Sequence, residues 1–199
     1  MTQSTPTLPP AHTPTPTFHP YQRIPRGRRL ALFLPLLILT LALTAILQAV
    51  NAPLKTAAAS QGIVSYEFGG TTAGAERILA SLNGQAREHA GFSLVLDFLY
   101  MPSYAVTIGL ACAWVAESLR RRARWLGTAG VILAWGLIVA ALLDATENVA
   151  LTTMLFGAPA EPWPIIAFGC ATVKFLLIAC GLLYAVLGGV LALLPGSDS

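Results

Sequence analysis

The stretch Leu142–Thr153 reads LLDATENVALTT and places Asp144, Glu147 and Asn148 inside the long apolar run from Trp125 to Phe156. Spacings of three and four residues put these side chains on one face of a helix. A carboxylate at membrane depth is costly, so such groups usually face a bundle interior and find partners there. Two other apolar runs carry ionisable groups of their own. Asp97 lies beside Tyr100 in LDFLY, and Lys174 is the single charge between residues 164 and 194. Carboxylates gathered around an ammonium can form ion pairs, hold a cationic or polar ligand, or carry protons. Neutral Asn148 and Tyr100 would support any of these by hydrogen bonding.

The elements that position these groups must be membrane helices. Apolar residues make up 55% of the 199-residue chain and charged residues 11%, against about 25% charged in a soluble domain. The expected fold class is an all-α polytopic membrane bundle of four transmembrane helices. The formal net charge is +3. Its basic residues flank apolar runs without an aromatic or zinc motif, so no nucleic-acid partner is expected. Cys112, Cys170 and Cys180 all fall inside apolar runs and form no C-x-x-C. They read as small packing residues, with neither a disulfide framework nor a metal site, and no cofactor is expected.

Residues 1–29 read as a disordered Pro/Thr-rich tail ending in Arg23, Arg26, Arg28 and Arg29, with His12 and His19 solvated. The membrane domain covers 30–194, with spans at about 30–50, 91–116, 125–156 and 164–194, and 195–199 is a short tail. Twenty apolar residues suffice to cross a core of about 30 Å. The apolar run of the first span is too long for a signal peptide, and an uncleaved span is favoured over cleavage near Ala57-Ala-Ala59. Thr40, Thr44 and Gln48 mark its inward face. The outer segment, 51–90, contains Ile63–Phe68, rich in strand-formers, and then a helix capped by Thr71 or Thr72 and running to about Leu82. His89 reads as an interfacial polar residue. Pro102 predicts a bend in the second span, and Ala105, Gly109 and Ala113 form a small-residue series that permits close helix contact.

Four arginines precede the first span and four follow the second, whereas the opposite side carries only Lys55, Arg77 and Arg87. The positive-inside rule then puts both termini in the cytoplasm of a plasma (inner) membrane protein. Counted from the outer span ends, Asp97, Glu147, Lys174 and Asp144 lie roughly 9 to 18 Å deep. Three helices thus bring their charges to one band in the outer half of the bilayer. Lys174 is expected to pair with Glu147 or Asp97, and Asp144 with Asn148 to add polar contacts.

With Ile63-Val-Ser-Tyr-Glu-Phe68, Leu96-Asp97-Phe-Leu-Tyr100, Leu143-Asp144-Ala-Thr-Glu147-Asn148 and Lys174-Phe175 in view, the chain resembles an uncharacterised family of bacterial four-helix integral membrane proteins over about residues 60–190. The resemblance implies the architecture and the importance of the charged band, and no activity. A looser similarity is to the sterol-isomerase and sigma-2-receptor bundles, which would cast Asp97, Asp144 and Glu147 as groups meeting a cationic or carbocationic lipid. Lys174 fits that analogy poorly, because it offsets an acid.

Three functions follow. The preferred one is binding or movement of a small amphipathic or cationic molecule, with membrane lipid as surroundings and a homo-oligomer left open. The alternatives are a structural or assembly subunit whose polar cluster fixes helix packing, and a cofactor-free, isomerase-like lipid enzyme. The chain has no H-E-x-x-H or G-x-S-x-G motif.

Overall fold

A computed structural model describes residues 18–194. The expectations for residues 1–17, His12 among them, and for 195–199 lie outside the described residues. Every regular element described is helical, and four helices are long and apolar enough to cross a membrane. The elements run in the order α1 Arg26–Asn51, a 3-10 turn Ala52–Leu54, α2 Ile63–Glu67, α3 Thr72–Ser81, α4 Gly84–Leu119, α5 Arg124–Phe156 and α6 Trp163–Leu193.

Helix α4 is the central element, packed against α1, α5 and α6, while α1 rests chiefly on α4. The outer faces of α1 and α6 are apolar and exposed, with Ile38, Leu41, Leu183 and Val186 among the least covered. Such faces suit contact with lipid chains rather than water. Pro102 sits inside α4 without interrupting it, and α4 begins at Gly84 rather than Gly91 because Asn83 caps it by accepting from the Ala86 amide at 2.8 Å. Thr71 caps α3 in the same way, accepting from the Gly74 amide at 3.1 Å.

Two segments depart from what their composition suggests. Ile63–Phe68, rich in strand-formers, forms the short helix α2 and its C-cap. Its β-branched and aromatic residues serve burial: Tyr66 is 3% exposed and donates its hydroxyl to the Leu151 carbonyl at 3.2 Å. The second is the chain before α1. His19 and Tyr21, expected in a solvated tail, are buried against the bundle. The Tyr21 hydroxyl donates to the Ala105 carbonyl at 3.3 Å, Phe18 stacks on Trp135, and Glu117 accepts from Arg29 Nη1 at 2.6 Å with His19 Nε2 at 3.2 Å. Burial pushes the His19 imidazole below its ordinary range, and Arg29 adds to the effect. The small-residue notch at Gly109 is therefore filled by the Tyr21 ring, which a Cβ there would strike.

Candidate functional site

Lys174 projects from α6 into the bundle and organises the charged band. Its Nζ lies 2.6 Å from Asp144 Oδ1, 2.9 Å from Glu147 and 3.8 Å from Glu67 Oε2. The three-residue spacing on α5 turns Asp144 and Glu147 to the same side, so one ammonium meets both. Glu147 is 0% exposed and Asp144 2%. The second oxygen of Asp144 accepts the Tyr104 hydroxyl at 2.9 Å, and the Lys174 ammonium stands 5.0 Å from the centre of the Phe175 ring.

Asp97 is not part of this ion-pair group. Its Oδ2 accepts from Asn148 Nδ2 at 2.8 Å. Asn148, expected to assist Asp144, serves Asp97 instead. The reason is geometric: one residue beyond Glu147, Asn148 is rotated toward α4 and also approaches the Leu94 carbonyl at 3.4 Å. Tyr100 packs on Tyr104 with ring centres 5.2 Å apart and accepts from Thr44 of α1 at 3.3 Å. Gln48 is solvent-accessible on the face of α1 that lines the central cavity, and His89 is exposed with Nδ1 2.9 Å from the Gln85 carbonyl.

The residue missing from the sequence reading is Glu67. It is 8% exposed and joins the cluster from α2, outside the four spans. Three contacts hold it there. Asn51 at the end of α1 accepts from the Ile63 amide at 2.7 Å and donates to the Gln61 carbonyl at 3.2 Å. Tyr66 anchors on α5, as described. Phe68 packs against Phe168 and Phe175 at 5.8 and 5.9 Å. Gly62, at φ +63°, makes the turn between these anchors, and the Asn51 amide occupies the space a side chain there would need. Burial raises the Glu67 carboxyl to about 7, against the opposing pull of Lys174. The available signal was a glutamate within an apolar hexapeptide ending in Gly-Gly.

These groups border a cavity of about 350 Å³ between α1, α2, α4, α5 and α6. Glu67, Asp97, Asp144, Tyr104 and Lys174 line its charged side, and Leu47 and Ile178 its apolar side. Lys55 stands exposed at the edge. Glu147 lies outside the lining, behind Lys174. Four acids thus surround one buried base, and among the described residues Asp97 forms no ion pair. No cluster of three or more His, Cys, Asp or Glu side chains suited to a metal ion is found among the described residues.

Fold and site together define a membrane-type bundle of four helices around a half-open, acid-rich polar cavity. No protein-family model, curated protein or solved structure matches the chain.

Proposed function

We propose that this chain is a multi-pass protein of the plasma (inner) membrane that binds or moves a small amphipathic or cationic molecule in the cavity beneath α2. The observation that carries the reading is Asp97: a carboxylate lining a cavity, hydrogen-bonded to a neutral amide and without a basic partner among the described residues. Asp97 is half-buried; a carboxylate in an apolar bundle without a counter-ion is costly, and a cation arriving in the cavity would offset that cost. The arginine clusters at 23–29 and 120–124 support an orientation with both termini in the cytoplasm and α2 and α3 outside. Labelling of a Lys55→Cys variant by a membrane-impermeant maleimide on intact cells tests that orientation. Absence of labelling until the cells are opened would reverse it.

Binding is tested by native mass spectrometry of the purified chain, comparing wild type with Asp97→Asn. Co-purifying small molecules retained by wild type and lost by the variant support the reading. A wild type with an empty cavity, and no stabilisation by any cationic or amphipathic compound, defeats it. A second reading, in which the cluster serves only helix packing, draws on Glu147, which is fully buried, lies outside the cavity lining and pairs with Lys174.

A further inference from the structure

We infer that the ligand of this cavity is a single-chain primary alkylammonium, its –NH3+ head between Glu67 and Asp97 and its chain along Leu47 and Ile178. The inference rests on the binding role proposed above and assigns the ligand's chemistry.

The head group follows from the hydrogen bonds left over. Glu67 Oε2 is buried with no hydrogen-bond partner, and the nearest cation, Lys174 Nζ at 3.8 Å, is already engaged by Asp144 and Glu147. Asp97 has one neutral donor in Asn148. Both carboxylates line the same cavity. In their ionised form the two carboxylates offer vacant acceptor capacity and negative charge, which selects a cationic donor. A primary ammonium presents three N–H donors and can use several oxygens at once. A quaternary ammonium has no N–H to offer and is recognised by the faces of an aromatic cage. Here Tyr100 and Tyr104 pack on each other, and the Tyr104 hydroxyl is committed to Asp144.

The chain follows from how the lining changes along the helices. Leu47 lies one turn beyond Asn51 on α1, and Ile178 one turn beyond Lys174 on α6. On α6 the wall passes from charged Lys174 to apolar Phe175 and Ile178 away from α2, the order of groups in a lipid-like amphiphile, while on α1 Leu47 is the apolar contact among the polar Thr44, Gln48 and Asn51. At ~30 Å³ per water-sized group, a volume of about 350 Å³ accepts roughly a dozen heavy atoms, a head and most of one chain of that length. Because α1 rests chiefly on α4, the cavity is bordered by α1 and α6, whose outer faces are apolar. The remaining methylenes would continue between these helices into the bilayer.

The test uses the full chain in nanodiscs, with thermal unfolding and native mass spectrometry as readouts. Four probes are compared: dodecylamine, dodecyltrimethylammonium, dodecanol and spermidine. Dodecylamine is expected to raise the unfolding midpoint and survive as a one-to-one adduct. Its affinity should fall about tenfold or more in Glu67→Gln and in Asp97→Asn, as loss of a charge-assisted hydrogen bond implies. Unliganded unfolding of each variant verifies that it folds. Spermidine acting in place of dodecylamine would keep the ammonium head and overturn the alkyl chain. Equal binding of dodecanol or the quaternary analogue, unaffected by either substitution, would overturn the ammonium assignment while leaving a binding cavity. Failure of all four probes, with the natural cavity also empty, would remove the binding role itself.

Discussion

Lys174 and Asp144, thirty residues apart in sequence, meet at 2.6 Å in the interior of the bundle, and the same ammonium reaches Glu147 at 2.9 Å. The contact joins α5 to α6 and leaves α4 to supply hydrogen-bond partners instead of counter-ions. From this arrangement the energetic role of each charge can be separated by substitution.

Replacing Lys174 by Met leaves Asp144, Glu147 and Glu67 facing one another without a cation. Breaking a buried ion pair from one side costs about 3–5 kcal/mol, so Lys174→Met should lower stability by that order in a reversible unfolding assay in detergent. Adding Asp144→Asn and Glu147→Gln should recover much of the loss, because Glu67 is then the one acid left of the three that faced the lysine. Non-additivity of this kind is expected of side chains sharing one partner. A triple variant no more stable than Lys174→Met alone would mean that the lysine stem, rather than its charge, holds the packing.

Glu67 supplies a pH signature. Burial raises its carboxyl to about 7 from the ordinary 4.5. Between those values the folded state holds a proton that the unfolded state has released. The associated stability is therefore complete below about pH 4.5 and is lost as pH rises through 7. Glu67→Gln cannot titrate. Unfolding midpoints measured across this window should show wild type losing stability relative to Glu67→Gln as pH increases. Parallel curves for the two proteins would contradict the assigned environment of the carboxyl.

Gly62 and Asn51 set where Glu67 stands. A Gly62→Ala side chain would be strained at φ +63° and would collide with the Asn51 amide, a cost of about 1–3 kcal/mol from the backbone alone. Hydrogen exchange at the amides of 63–68 should accelerate, while the α5 interior stays protected. Unchanged exchange in α2 would show that its hold comes from Tyr66 and Phe68 and not from the Asn51 turn.

At the opposite end, Gly109 receives the Tyr21 ring. Gly109→Ala should displace the 18–24 segment, and trypsin should then cut faster at exposed Arg23. Tyr21→Phe keeps the ring in the notch and removes only the bond to the Ala105 carbonyl, at a cost of about 1 kcal/mol. It should raise the cleavage rate far less than Gly109→Ala. Equal rates in all three proteins would show that the segment is not held by this notch.

The parts of this molecule differ in how much of them can be read from residues alone. Four helices long enough to cross a bilayer follow from run length and the scarcity of charge, since apolar transfer is additive along a chain. That Asp144, Glu147 and Asn148 lie on neighbouring faces follows from helical spacing. Their partners do not, because a few tens of degrees of helix rotation decide whether Lys174 meets Asp144 or Asp97. Glu67 was hidden by a different cause. A five-residue helix is too short to show a period, and Ile63, Val64, Tyr66 and Phe68 favour strand locally, while the burial of Tyr66 against α5 and the packing of Phe68 on α6 are distant contacts. His19 and Tyr21 were masked by the composition of the segment before them. Their burial depends on a notch at Gly109, almost ninety residues away.

The α5–α6 ion pairs also bear on how the protein is made. Alone, α5 would carry two acids into the bilayer and α6 one base, each a charge without compensation. The two helices are joined only by the short connection 157–162, and their charges fall at matching depth in the finished structure. Inserted together as a hairpin, they enter with the lysine already matched to a carboxylate, so the cost of passing charge into lipid is met within one pair of neighbours. Membrane insertion of the second half of this protein is on this basis expected to be coupled to its folding, with α5 depending on the helix synthesised after it.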